Sequence, residues 1–132
     1  MDASGGLTQC WVSSSLKISP IEHTEFLQRF IDRKLEVDER AYSKTKKNNY
    51  IMEMSSGWKL YGKTGMSILE NDNDHGCFIG FIEKNGRSIV FATHLIDHKK
   101  EDTYTSFRAR NLALNKLWYI INELENSHQS TR

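Results

Sequence analysis

The side chains of this chain best placed for chemistry sit together in Gly62-Lys63-Thr64-Gly65, where a cation and a hydroxyl lie between two glycines at the end of a strand-like run. Glycines let a ligand lie against the backbone, the lysine supplies charge beside a nucleophile, and the threonine donates a hydrogen bond to a carboxylate or carbonyl. A tripeptide this short is also an ordinary turn, so the elements around it decide its meaning.

Three Ser-x-x-Lys strings could pair a nucleophile with a base: Ser14 to Lys17, Ser43 to Lys46 and Ser56 to Lys59. Composition alone predicts about one such string. A reacting serine needs the start of a buried helix to hold its lysine one turn away. The first string falls in a loop before a helix cap, the second on a polar helix and the third across a turn, so none meets that need. Cys10 and Cys77 have no histidine at thiol-activating spacing and read as small core or loop residues. His94, Asp97 and His98, like Asp72, Asp74 and His75, offer metal-type donors, but on a strand end and a polar turn rather than one helix face, so no metal is expected.

The elements that must position Lys63 follow from patterning. Residues 1–18 are rich in Ser and Gly around Trp11 and read as an ordered loop. Ser19-Pro20-Ile21-Glu22 is a capping box with proline at the first helical position, predicting a helix to about Lys34. Asp38 caps a second short helix through Ala41, Tyr42 and Thr45. Tyr50 to Met54 alternates as a strand up to Ser55-Ser56-Gly57, and Trp58, Leu60 and Gly62 continue a second. Glu70 to Gly76 reads as a polar turn. Cys77–Glu83 and Ser88–Thr93 flank Asn85-Gly86, a strong hairpin signal. A charged loop over 96–105 leads into a long amphipathic helix over 106–125, with Leu112, Leu117, Ile120, Ile121 and Leu124 on a helical period. Met52, Met54, Trp58 and Tyr61 are core by default. The order, helices then antiparallel strands then a packed helix, is an α+β domain.

Read together, Asp2-Ala3-Ser4-Gly5-Gly6-Leu7-Thr8-Gln9, Trp11, Ser14 to Pro20, Gly57 to Gly65 and Phe78 to Lys84 resemble the class D serine β-lactamases in order and spacing. The resemblance runs from Asp2 to about Leu124. It corresponds to the C-terminal half of such an enzyme, beginning just past the family's Tyr-Gly-Asn motif, so residues 1–132 are expected to be a partial domain of the serine β-lactamase and DD-peptidase-like fold. It implies β-lactam hydrolysis through an acyl-enzyme in the complete enzyme, with no cofactor. Lys63 would hold charge near the proton relay, Thr64 with Gly65 and the backbone after it would grip the lactam carboxylate, and Met66 N–H would complete the oxyanion hole. Trp11 would support the carbamylated lysine base. An arginine on the last helix would bind the carboxylate in bidentate fashion. Arg110 is preferred over Arg108 because it stands seven residues before Leu117, as the family's arginine stands before a buried aliphatic.

Departures accompany the likeness. Met66-Ser67-Ile68 and Gly76-Cys77 replace a glycine and a Gly-Trp common in the family, and the Ser-x-x-Lys nucleophile and Ser-x-Val motif are not matched, so the isolated chain is expected to be inactive. The penicillin-sensor domains of signalling receptors share this fold and are the alternative, as is a non-catalytic remnant. Composition sharpens the choice of partner. The chain of 132 residues is 38% hydrophobic and 27% charged with a formal charge of +1, which gives no field for nucleic acid or anionic lipid. No run is long enough to span a membrane, and Met1 to Gly6 has no export-signal character; a periplasmic location is implied by the resemblance alone. Half a sheet would leave strand edges and apolar faces open, which predicts self-association.

Overall fold

The computed structural model describes residues 18–69 and 71–129. Helix α1 (Pro20–Ile31) starts as its sequence dictates: Ser19 Oγ accepts from Glu22 N–H at 3.2 Å and Ser19 N–H donates to the Glu22 carboxylate at 2.8 Å. It ends three residues before Lys34, because Asp32 caps it and Arg33 turns into the left-handed region at φ 60°. Asp38 caps α2 (Glu39–Asn48) by accepting from Ala41 N–H.

A four-stranded antiparallel sheet follows, ordered β1-β2-β3-β4: β1 (Tyr50–Glu53), β2 (Lys59–Ile68), β3 (Asp74–Lys84) and β4 (Arg87–Asp97). The expected hairpin is present, with Asn85 and Gly86 both at positive φ (50° and 76°), as its tight turn requires. Two boundaries correct the sequence reading. Asp74, His75 and Gly76 belong to β3, and β2 continues through the whole Lys63-Thr64-Gly65 segment to Ile68, so that tripeptide lies inside a strand. Polar composition hid this, because Ser67 and His75 pair across the ladder as partners.

Helix α3 (Thr105–Gln129) covers one face of the sheet. Ala109, Ala113, Leu117 and Ile121, a period of four, bury against Trp58, Leu60, Phe78 and Ile82. Trp58 is therefore core, as is Tyr61, whereas Met52 is 46% exposed on β1 and only Met54 packs on the core. The opposite face carries Tyr61, Phe81, Ile79 and Val90, covered by Leu27, Phe30 and Ile31 of α1. Glu125 fastens the far end of α3, accepting from Trp58 Nε1 at 3.1 Å and Lys84 Nζ at 2.9 Å.

Candidate active site

Alternation of side chains along β2 sorts the candidate residues by face. Leu60 faces α3, so Thr64 and Met66 do too, while Lys63, Gly65 and Ser67 share the α1 face with Tyr61. Alternation of the backbone matters as much. In an antiparallel ladder each residue directs both its N–H and its C=O to one side. Gly62 N–H donates to Asn49 O at 2.8 Å, on the β1 side, and Leu69 N–H donates to Asn73 O at 2.8 Å, on the β3 side. Thr64 and Met66 therefore turn their N–H and C=O groups toward the β1 side. β1 pairs only with Lys59–Tyr61, so among the described residues β2 has an open edge from Lys63 to Ile68.

Lys63 is exposed and curls round that edge, its ammonium donating to Thr64 O at 3.1 Å. It also borders a cavity of about 310 Å³ between α1, α2 and the sheet, walled by Phe26, Phe30, Tyr61 and Phe81. Behind it Tyr61 Oη donates to Glu83 at 3.0 Å, and Lys46 pairs with the same carboxylate at 2.7 Å. Burial, then that bond to Glu83, pushes the Tyr61 phenol up to about 12. Gly65 is fixed by its neighbour: a β-carbon there would lie 2.9 Å from Cys77 Sγ.

The two arginines part company on α3. Arg108 pairs with buried Asp97 of β4, which also accepts from Thr105 Oγ1 at 2.7 Å. The Thr105 bond and then Arg108 hold the Asp97 carboxyl below its ordinary range. Arg110 lies about 200° further round the helix, on the flank away from β4 and toward β2. Its Nε is buried with no hydrogen-bond partner among the described residues, and its guanidinium sits 5.4 Å from the Phe107 ring. One arginine is a structural latch; the other has no carboxylate partner among the described residues and stands on the helix that covers the sheet face bearing Thr64 and Met66. Trp11 lies outside the described residues, as does the first Ser-x-x-Lys string.

Against known families, residues 2–118 match the model of the penicillin binding protein transpeptidase domain. The chain belongs to the transpeptidase-domain family. Within it, the chain is similar to β-lactamase OXA-9 of Klebsiella pneumoniae, 40% identical over 112 residues, which are 80% of this chain and 41% of that protein. Among solved structures it superposes on the OXA-427 class D β-lactamase with TM-score 0.78 at 30% identity, over 89% of this chain and 51% of that one. It also superposes on the C-terminal domain of the Bacillus licheniformis BlaR penicillin-receptor with TM-score 0.65 at 29% identity, over 80% and 43% of the two chains. This transpeptidase-family chain thus spans about two-fifths of the curated relative's length, matching its C-terminal half, and its relatives are class D β-lactamases and the penicillin receptor.

The other two Ser-x-x-Lys strings are poorly placed for this family's chemistry. Ser43 is exposed on α2 and bonds Glu39 at 3.3 Å, while Lys46 is held by Glu83. Ser56 stands exposed in a 3-10 turn at φ 59°. What the sequence reading missed is a histidine row: His75 and His94, there considered as metal donors, instead bond one another at 3.1 Å, and His23 of α1 joins them.

Proposed function

We propose that this chain forms the Lys-Thr-Gly wall of a class D-type β-lactam site. The observation that carries this reading is the open edge of β2, with the Thr64 and Met66 backbone donors turned outward and Arg110, without a carboxylate partner among the described residues, on the adjoining α3. A lactam lying along that edge would meet Met66 N–H with its carbonyl oxygen, where negative charge develops on acylation, and Thr64 Oγ1 and Arg110 with its carboxylate. Lys63, at the rim, keeps the local field positive. The acylating serine and its base belong to the Ser-x-x-Lys part of the family's fold, so this wall alone binds and orients but does not turn a lactam over. No metal or cofactor enters.

A penicillin-sensor role is the second reading, favoured by the superposition on the BlaR penicillin-receptor domain. The two differ in whether the acyl group is released. The resemblance to class D β-lactamases favours the periplasm as the working compartment. The outer edge of β4, unpaired among the described residues, supports self-association with a second copy by strand pairing, which sedimentation velocity over a concentration series checks; a monomer throughout would contradict it.

Amide-detected NMR titration with benzylpenicillin tests the wall itself. Shifts confined to Lys63 to Ile68 and Arg110, with no hydrolysis, are expected. Shifts centred elsewhere, or none at saturation of the drug's solubility, would refute it.

A further inference from the structure

Four side chains stand in one hydrogen-bonded row on the sheet face that α1 covers. Ser67 Oγ lies 3.3 Å from His75 Nδ1, His75 Nε2 lies 3.1 Å from His94 Nδ1, and His94 Nε2 lies 3.0 Å from His23 Nδ1. Register explains the alignment. Ser67 is directly opposite His75, and His94 is opposite Cys77, which makes it the diagonal neighbour of His75. His23 comes down from the first turn of α1, its ring centroid 5.1 Å from that of His94. The row lies on the other face of β2 from Thr64 and Met66, and the lactam wall uses none of it.

A neutral imidazole has one donor and one acceptor nitrogen, so three neutral rings in line permit two arrangements: every proton pointing toward His23, or every proton pointing toward Ser67. In the first, Ser67 O–H donates to His75 Nδ1 and His75 Nε2–H donates to His94. The serine then faces a base whose tautomer is fixed by a third group, the arrangement by which hydroxyls become nucleophiles. Burial lowers the pKa of all three rings, that of His94 to about 4, so each is neutral near pH 7 with one ring nitrogen free of a proton. Backbone alternation adds an electrophilic element. Ile68 N–H, from the residue following the serine, points off the open edge of β2 as Met66 N–H does, and the amide after a nucleophile is a usual oxyanion donor.

We propose that Ser67, with His75 as its base and His94 as a positioning residue, is a second acyl-accepting site, for small activated esters. Ser67 Oγ adds to the ester carbonyl carbon as its proton passes to His75 Nδ1. The tetrahedral intermediate then breaks its bond to the alcohol, which leaves with the proton from His75. Water, deprotonated by the same nitrogen, cleaves acyl-Ser67 to the carboxylic acid and restores the hydroxyl. A fluorophosphonate follows the first half only: phosphorus is attacked, fluoride departs and the phosphonyl group stays on Ser67.

The test is labelling of the chain with a fluorophosphonate, followed by intact mass and peptide mapping. One adduct on Ser67 is expected, absent in Ser67→Ala and forming about a hundredfold more slowly in His75→Gln. His94→Leu should slow labelling, and His94→Asp should restore it, because a carboxylate also accepts from His75 Nε2–H; a merely structural His94 would not show that rescue. Ser67→Ala removes a single half-exposed hydroxyl and keeps the fold, so the assignment stands or falls even if a histidine variant is unstable. No adduct, an adduct that survives Ser67→Ala, a rate indifferent to His75→Gln in a folded variant, or His94→Asp no faster than His94→Leu would each overturn the proposal.

Discussion

Gly65 and Cys77 face each other across the β2–β3 ladder so closely that a β-carbon on Gly65 would stand 2.9 Å from Cys77 Sγ. The glycine beside Lys63 and Thr64 is thus required by a side chain on the next strand. Gly65→Ala should cost about 1 kcal/mol, because a cysteine can partly rotate away, and Cys77→Ala should recover most of it. Gly76→Ala should cost more, about 3 kcal/mol, since its β-carbon would meet the rigid Thr105–Ser106 backbone. Urea unfolding of the single and double variants measures both; a Gly65→Ala cost untouched by Cys77→Ala would contradict the pairing.

The histidine row sets a pH response. His94 is held down to about 4 by burial first, then by repulsion from His75 and His23; burial is also the main cause for His75 and His23, with Glu22 opposing it at His23. Folded-state pKa values below the unfolded value of 6.5 mean that stability is fully present above about pH 6.5 and declines as pH falls toward 4. Imidazole C–H shifts should show His94 titrating at about 4, and His94→Gln should flatten the acid limb of the urea midpoint. A His94 midpoint near 6.5 would contradict the burial argument.

Arg108 and Arg110 should separate in mutagenesis. Arg108→Ala leaves Asp97 buried without its cation and should lower the urea midpoint, whereas Arg110→Ala should leave stability nearly unchanged and erase the benzylpenicillin-induced shifts on β2. Because the Asp97 carboxyl lies below its ordinary range, the Asp97–Arg108 contribution is present above about pH 4 and lost as pH falls below it. The reverse ranking of the two variants would transfer the binding role to Arg108.

Local chemistry made much of this structure legible. The Ser19 capping box, the Asn85-Gly86 turn and the apolar period of the last helix each act through neighbours in sequence, so α1, the β3–β4 hairpin and α3 follow directly, although Leu112 and Ile120 of that period are exposed and Ala109 and Ala113 complete the buried stripe with Leu117 and Ile121. What stayed hidden depends on partners distant in sequence. The polar residues Ser67, Asp74 and His75 look like loop, yet they pair in a ladder that only the hairpin partner completes. The register implied by Asn85-Gly86 already sets His94 opposite Cys77 and diagonal to His75, and that signal was available. His23 was not, because nothing in sequence says that the first turn of α1 lies over β4. The preference for Arg110 rested on spacing to Leu117, whereas the engagement of Arg108 by Asp97 joins two elements and left no mark in the sequence.

Whether the open edge of β2 is a lactam-binding wall is decided by a chimera. Residues 2–118 of this chain replace the matching segment of OXA-9 β-lactamase, and turnover of a chromogenic cephalosporin is followed at steady state. The folded chimera should hydrolyse it, with kcat/KM reduced about a hundredfold or more by Lys63→Ala or Thr64→Ala and KM raised by Arg110→Ala. A folded chimera without turnover, or turnover indifferent to Lys63 and Thr64, would contradict the lactam-binding wall.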